Sequence, residues 1–264
     1  MDRNAFPWVD SHCHLEMLKG NLGRILDESS RAGMAFCISI GTGISANQKV
    51  VDLCDRYDQV YGTLGFHPHY ASKFDPVHLD WIKNKIRENS KIVGVGECGF
   101  DLYYHRSSLK DQKEAFSAQL DLAVESAVPV VIHARDADVE TRDILKGYHG
   151  KELRGVIHSF TSTVEQARYL LDFGFFISFN GISTYQQADQ VRDVLTYIPK
   201  DRILLETDAP YLSPVPLRGK PNIPGNVSII GRFIAEFLGL SPDLLAELVL
   251  KNTLTLFHRI EYEH

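Results

Sequence analysis

"VDSHCHLE", residues 9–16, sets His12 and His14 one residue apart just after an apolar start. Read as a β-strand, the segment sends successive side chains to opposite faces, so the two histidines share a face and Cys13 points away. That face can present two imidazole nitrogens to one cation. Two polar side chains satisfied by their neighbours is the plainer alternative, because a lone H-x-H pair arises readily by chance. The rest of the chain decides between the two readings, and decides the fold with them.

Seven further β-branched or apolar runs follow: "AFCISIGTG" (35–43), "VYGTLGFHPH" (60–69), "KIVGVGECGFD" (91–101), "VPVVIHARD" (128–136), "RGVIHSF" (154–160), "GFFISFNG" (174–181) and "RILLETDAP" (202–210). Between most of them lie amphipathic stretches with apolar residues three and four apart, such as "NLGRILDESSRAG" (21–33) and "LKDQKEAFSAQLDLAVESA" (109–127). Strands alternating with helices imply βαβ units and a parallel sheet. Eight such units predict an α/β protein of the (β/α)8 TIM-barrel type. A doubly wound open sheet is the runner-up, with no reason to use eight strand–helix pairs. No Pro/Gly/Ser-rich linker interrupts the chain, so residues 1–264 are expected to form a single TIM-barrel domain. Two final helices, "VSIIGRFIAEFLG" (227–239) and "PDLLAELVLKNTLTLFHRI" (242–260), are expected to close the outer ring.

Composition narrows the class. At 264 residues with 44% hydrophobic content, the chain can bury a substantial core. No apolar run approaches a membrane span, and the opening "MDRNAFPWVD" has no basic stretch followed by an apolar one, so a cytoplasmic protein without a membrane partner is expected. The four scattered cysteines, without a C-x-x-C pair, suit free buried thiols in a reducing compartment. The net charge of −6 argues against wrapping a long duplex, which calls for the opposite sign. Any contact with nucleic acid should therefore be local.

His12, His14, His67, His69, His133 and His158 fall at or just past the C-terminal ends of strands one, three, five and six; Glu97 ends strand four and Asp208 ends strand eight. In a barrel these ends converge on the rim where active sites are built. His78, His105, His149, His258 and His264 fall elsewhere and are expected to be solvated or locally bonded. Imidazoles and carboxylates crowded at one rim are costly to desolvate unless cations compensate them. Neutral imidazole and carboxylate are what zinc, manganese and similar divalent ions accept. Glu97 has two oxygens and could bridge a pair. Convergence thus favours His12 and His14 as a ligand pair.

These residues lie in motifs that resemble the TatD family of metal-dependent deoxyribonucleases: "DSHCHLE", "GFHPH", "VGECGFD", "VIHARDA", "GVIHSF" and "LLETDAPYLSP", followed by "PLRGKPNIP". The resemblance spans essentially the whole chain, in order. It implies a barrel metallohydrolase with a di- or multinuclear centre of Mg, Mn or Zn that cleaves phosphodiester bonds of DNA, attacking single strands or free 3′ ends; the chain is expected to act as a monomer. By position, His12, His14, Glu97 and Asp208 match the ligands of one metal, and Glu97, His133 and His158 those of the other. One departure is Cys98, which on an ideal strand faces away from the interior as a packing residue; turned inward, its thiolate would favour zinc.

Roles follow for the remaining residues. Asp208 is placed to bind metal and to accept a proton from attacking water. Glu206, two residues earlier, either orients a ligand imidazole or is a core carboxylate held by backbone donors. His67, stiffened by Pro68, is expected to contact the scissile phosphate or protonate the leaving oxygen, with His69 a lesser candidate. Arg135 could pair with phosphate, or be solvated. In the proline-stiffened "LSPVPLRGKPNIPGN" (212–226), Arg218 and Lys220 are natural phosphate contacts. Tyr103 and Tyr104 either stack on unpaired bases or pack the rim. The rivals are a barrel amidohydrolase acting on a small amide, lactone or amine, and a non-catalytic metal-binding scaffold. Many amidohydrolases bridge their metals with a modified lysine; here Glu97 takes that place, and Lys91 lies at the wrong end of its strand.

Overall fold

A computed structural model describes residues 7–262; Met1–Phe6, part of the stretch read for a leader, and His264 lie outside it. Eight strands run β1 (Trp8–Cys13), β2 (Met34–Ile40), β3 (Val60–Leu64), β4 (Ile92–Asp101), β5 (Val130–Arg135), β6 (Gly155–Ile157), β7 (Phe176–Phe179) and β8 (Ile203–Leu205). Each pairs in parallel with the next, in strict chain order. Helices α1 (Leu22–Arg31), α2 (Ile44–Arg56), α3 (Val77–Glu88), α4 (Leu109–Glu125), α5 (Asp138–Leu145), α6 (Val164–Asp172) and α7 (Asp189–Tyr197) fill the crossovers; α8 (Val227–Phe237) and α9 (Pro242–Leu256) follow β8. The sequential order yields a (β/α)8 barrel and excludes the doubly wound sheet, whose strand order reverses at a switch point.

The seam between β8 and β1 closes past the end of β8. Asp208 N donates to His12 O at 2.9 Å, and His14 N donates to Ala209 O at 2.7 Å. Beneath them the fully buried Asp10 carboxylate accepts from Thr207 N at 2.8 Å and bonds Thr207 Oγ1 at 2.5 Å. Burial pushes the Asp10 carboxyl up to about 8 against those hydrogen bonds. The seam carrying three of the predicted ligands, His12, His14 and Asp208, is thus fixed by backbone and side-chain bonds together.

Alternate strand residues divide between two cores. Val9, Ile38, Val93, Val131, Val156, Phe176 and Leu204 pack inside the barrel, while Cys37, Ile132, Ile157, Ile177 and Leu205 pack outward against the helices. Each such burial contributes roughly 1.5–3 kcal/mol. Trp8 sets its ring on Gly231 of α8, where an added Cβ would come within 2.2 Å of it. The expectation for the last helix needs correction. Leu245, Ala246 and Val249 of α9 do join the outer core, but Leu250, Leu256, Phe257 and Ile260 pack into the barrel cluster. The final helix therefore also serves the interior, because its apolar residues cover more than one face. Among the described residues no helix is long and apolar enough to cross a membrane.

Three strands end earlier than their apolar runs imply. The β3 ladder stops at Leu64, so His67 and His69 belong to the turn that includes the 3-10 segment Pro68–Lys73. β6 stops at Ile157 and β8 at Leu205, which puts His158 and Asp208 just beyond the ladder. Asp208 has φ +56° and Ser159 φ +48°, left-handed values that a strand cannot accommodate. On β4, Gly96 has φ +127°, and a Cβ there would lie 2.5 Å from Val131 O. Only glycine lets β4 turn so close to β5 and deliver Glu97 to the barrel axis.

Candidate metal centre

Glu97 lies at the middle of the site, 2% exposed. Its Oε2 faces His12 Nε2 at 3.6 Å and His14 Nε2 at 3.8 Å. Its Oε1 faces His158 Nε2 at 2.7 Å, His133 Nδ1 at 2.9 Å and His67 Nε2 at 3.5 Å. Asp208 Oδ1 joins the first group, 3.4 Å from His14 Nε2 and 3.7 Å from His12 Nε2. One carboxylate thus separates two sets of nitrogens, one on each oxygen. Two groups with metal-ligand spacing, His12–His14–Glu97 and His67–Glu97–His133, share Glu97.

The far nitrogens of three imidazoles meet acceptors. His14 Nδ1 lies 3.4 Å from Ile40 O, His133 Nε2 lies 3.3 Å from Asp101 Oδ2, and His158 Nδ1 lies 3.4 Å from Glu206 Oε1. An acceptor facing one ring nitrogen orients the other toward a cation, the arrangement that metal-ligating histidines adopt. Neither ring nitrogen of the buried His12 has a hydrogen-bond partner, although its ring stacks on His158 at 3.9 Å. A buried unbonded imidazole is costly, and a cation at Nε2 relieves it. The donor set fits divalent cations.

Charge at the site is arranged by the same contacts. Burial alone would raise the Glu97 carboxyl, but His158, His67, His12 and His133 reverse this and hold it well below the usual carboxylate range. Burial disfavours the charged form of His14, yet the hydrogen bond and charge of Asp208, with help from Glu97 and Glu16, push it up to about 9. His158 is also raised well above its ordinary value, by Glu97 and Glu206 against burial. His12 and His67 go down, mainly through burial.

A pH dependence follows for metal binding. With His14 pushed up to about 9, a cation held at its Nε2 would have to displace a proton at pH 7, so apparent affinity should rise about tenfold per pH unit between 7 and 9 for that proton alone. Its folded value exceeds the unfolded 6.5, so it stabilises the metal-free fold fully below pH 6.5 and ceases to as pH rises through about 9. The metal-loaded fold carries no such proton. Thermal melts with and without chelator should therefore draw further apart as pH rises from 6.5 to 8.5; a gap that narrows would contradict this.

Of the other expected residues, His67 is in the cluster, and Arg135 lines the cleft of about 570 Å³ above it. The Arg135 guanidinium stacks over the rings of Tyr103 at 4.2 Å and Tyr104 at 4.8 Å, both about half exposed. Arg218 and Lys220 are exposed and do not line that cleft; Arg218 stacks over Tyr185 at 4.2 Å. His69 Nε2 bonds Asp101 Oδ2 at 2.9 Å. Cys98 is fully buried in the outer core, and burial raises its thiol well above the ordinary value.

Asp101 was not anticipated. Its Oδ1 accepts from Tyr103 N and Tyr104 N, and its Oδ2 lies between His69 and His133. Burial opposes its ionisation, but His133 and the Tyr104 amide hold the carboxyl well below its usual range. The signal was available, since 97, 99 and 101 share strand parity.

Residues 9–258 match the model of the TatD related DNase family. The chain is 36% identical over 255 residues to the uncharacterized metal-dependent hydrolase YcfH of Escherichia coli K12, covering 95% of each. It is 33% identical over 238 residues to the 3′-5′ ssDNA/RNA exonuclease TatD of Citrobacter koseri, covering 88% of this chain and 91% of that one. The crystal structure of YjjV, a TatD homolog from Escherichia coli K12, superposes with a TM-score of 0.89 at 30% identity over 95% of this chain and 98% of the other. Family match, relatives and fold concur, and the chain belongs to the TatD related DNase family of metal-dependent hydrolases.

Proposed function

We propose that the protein is a deoxyribonuclease that hydrolyses phosphodiester bonds of single-stranded DNA from a free 3′ end, with two divalent cations bridged by Glu97. The observation that carries this reading is the division of five imidazoles between the two oxygens of Glu97. His12, His14 and Asp208 would hold one ion with Oε2; His133 and His158 would hold the other with Oε1. An imidazole-rich set suits zinc better than magnesium.

When bound, the cations supply Lewis-acid charge against the phosphate oxygens and lower the pKa of water. The chain does the rest. Asp208, held ionised by His14 and His12 against its burial, accepts the proton of attacking water. His67, kept neutral by burial at the cleft wall, is placed to contact the scissile phosphate or the leaving oxygen. Arg135 with Tyr103 and Tyr104 forms a cationic, aromatic lip that suits an unpaired base and its phosphate. Arg218 and Lys220 would meet the strand only where it leaves the cleft. An amidohydrolase reading is disfavoured because Lys91 Nζ is bonded to Cys54 O and Tyr57 O, away from the centre.

A 5′-labelled single-stranded oligonucleotide incubated with Mn²⁺, Zn²⁺ or Mg²⁺ tests the reading. Products should shorten progressively from the 3′ end, and chelator should abolish the reaction. Intact DNA with every ion, beside turnover of an amide or lactone, would refute it.

A further inference from the structure

A second hollow of about 420 Å³ adjoins the metal cleft, and Met17, Thr42 and Tyr70 line both. Its wall includes the first turn of α2, whose N-cap residue Gly43 supplies no side-chain cap. Lys49 and Lys73, both exposed, also line it. So does Glu16, whose side chain is only 4% exposed and whose two carboxylate oxygens have no hydrogen-bond partner. The nearest ligand nitrogen, His14 Nδ1, is 4.0 Å away, beyond bonding distance. A buried acceptor of this kind calls for a donor from outside the chain.

We propose that this hollow receives the terminal nucleotide of the strand and that Glu16 recognises its free 3′-hydroxyl. The proposal rests on the nuclease reading above and extends it to substrate choice. A hydroxyl donates to the carboxylate; a 3′-phosphate, or the next nucleotide of an internal position, would bring an anion against it. Glu16 therefore selects strand ends both by attraction and by repulsion. Tyr70, 44% exposed at the shared lip, offers a face for the terminal base, and Lys73 Nζ lies 6.0 Å from its ring centre. Lys49 and Lys73 offset the carboxylate and attract the polyanion. The volume falls within the range of small-ligand sites, about 300–1,000 Å³.

The test compares 5′-labelled oligonucleotides of one sequence ending in 3′-hydroxyl, 3′-deoxy or 3′-phosphate, with kcat/KM ratios taken within each enzyme. Wild type should prefer the hydroxyl to the deoxy end about tenfold or more, as for a hydrogen bond to a charged acceptor, and should cut the phosphate end slowest. Glu16→Ala should bring the hydroxyl-to-deoxy ratio near one. Glu16→Gln keeps an acceptor without the charge, so it should retain part of that preference while accepting the 3′-phosphate more readily. Equal wild-type rates on hydroxyl and deoxy ends, or ratios unaltered in both variants, overturn the proposal while leaving the nuclease reading in place. A wild type that hydrolyses bis(p-nitrophenyl) phosphate but no oligonucleotide overturns both.

Discussion

Glu97→Ala is expected to lose both bound cations together and to lower kcat/KM by more than a hundredfold. The side chain faces both nitrogen sets, so its removal takes a ligand from each ion and leaves neighbouring imidazoles without their shared anion. Residues that only orient the ligands should cost less. Asp101→Asn and Glu206→Gln, which act through the far nitrogens of His133 and His158, should cost about 10–100-fold in metal affinity or activity. His133→Ala should deplete chiefly one ion. Metal analysis of dialysed protein distinguishes these patterns. Two ions retained at normal occupancy in Glu97→Ala would remove Glu97 from the bridge.

Asp208→Asn is expected to lower turnover by about 10²–10⁴-fold, the contribution of a positioned acid–base group, while the fold survives. Asparagine keeps the size of the side chain and tolerates the left-handed backbone at φ +56°. The bond from its amide nitrogen to His12 O, which closes the barrel, is untouched. What goes is the charge facing His14 and His12 and the basicity toward water. Single-turnover kinetics at saturating metal, beside circular dichroism, reads both. Near-normal turnover would transfer the proton-accepting role elsewhere, with His67 the next residue to test.

Much of this site is legible in the sequence because a strand has period two and a barrel brings every strand end to one rim. His12 and His14 reach the same carboxylate although β1 shifts register between Asp10 and Cys13, so that Val9 packs inside the barrel and Cys13 outside it; Glu97, His133, His158 and Asp208 need only the strand order to meet. Asp101 was harder to see, because half its work is to hold the backbone amides of Tyr103 and Tyr104, contacts that exist only once the turn has formed. The direction of the 212–226 loop was not legible either. Asn222 Nδ2 donates to Thr207 O and Tyr211 O, and Ser213 Oγ donates to Lys220 O. These bonds fold the loop back on itself, with Arg218 and Lys220 outside the cleft wall. Proline content predicts stiffness, but tertiary hydrogen bonds set direction. Likewise α9 reads as one amphipathic helix, and only the closed barrel reveals that it serves both cores.

Anomalous diffraction from crystals loaded with Mn²⁺ tests the bridged centre most directly. Two peaks about 3.5–4 Å apart, one beside His12, His14 and Asp208 and the other beside His133 and His158, with Glu97 touching both, are the predicted result. A single peak, or two peaks of which Glu97 touches only one, would contradict it.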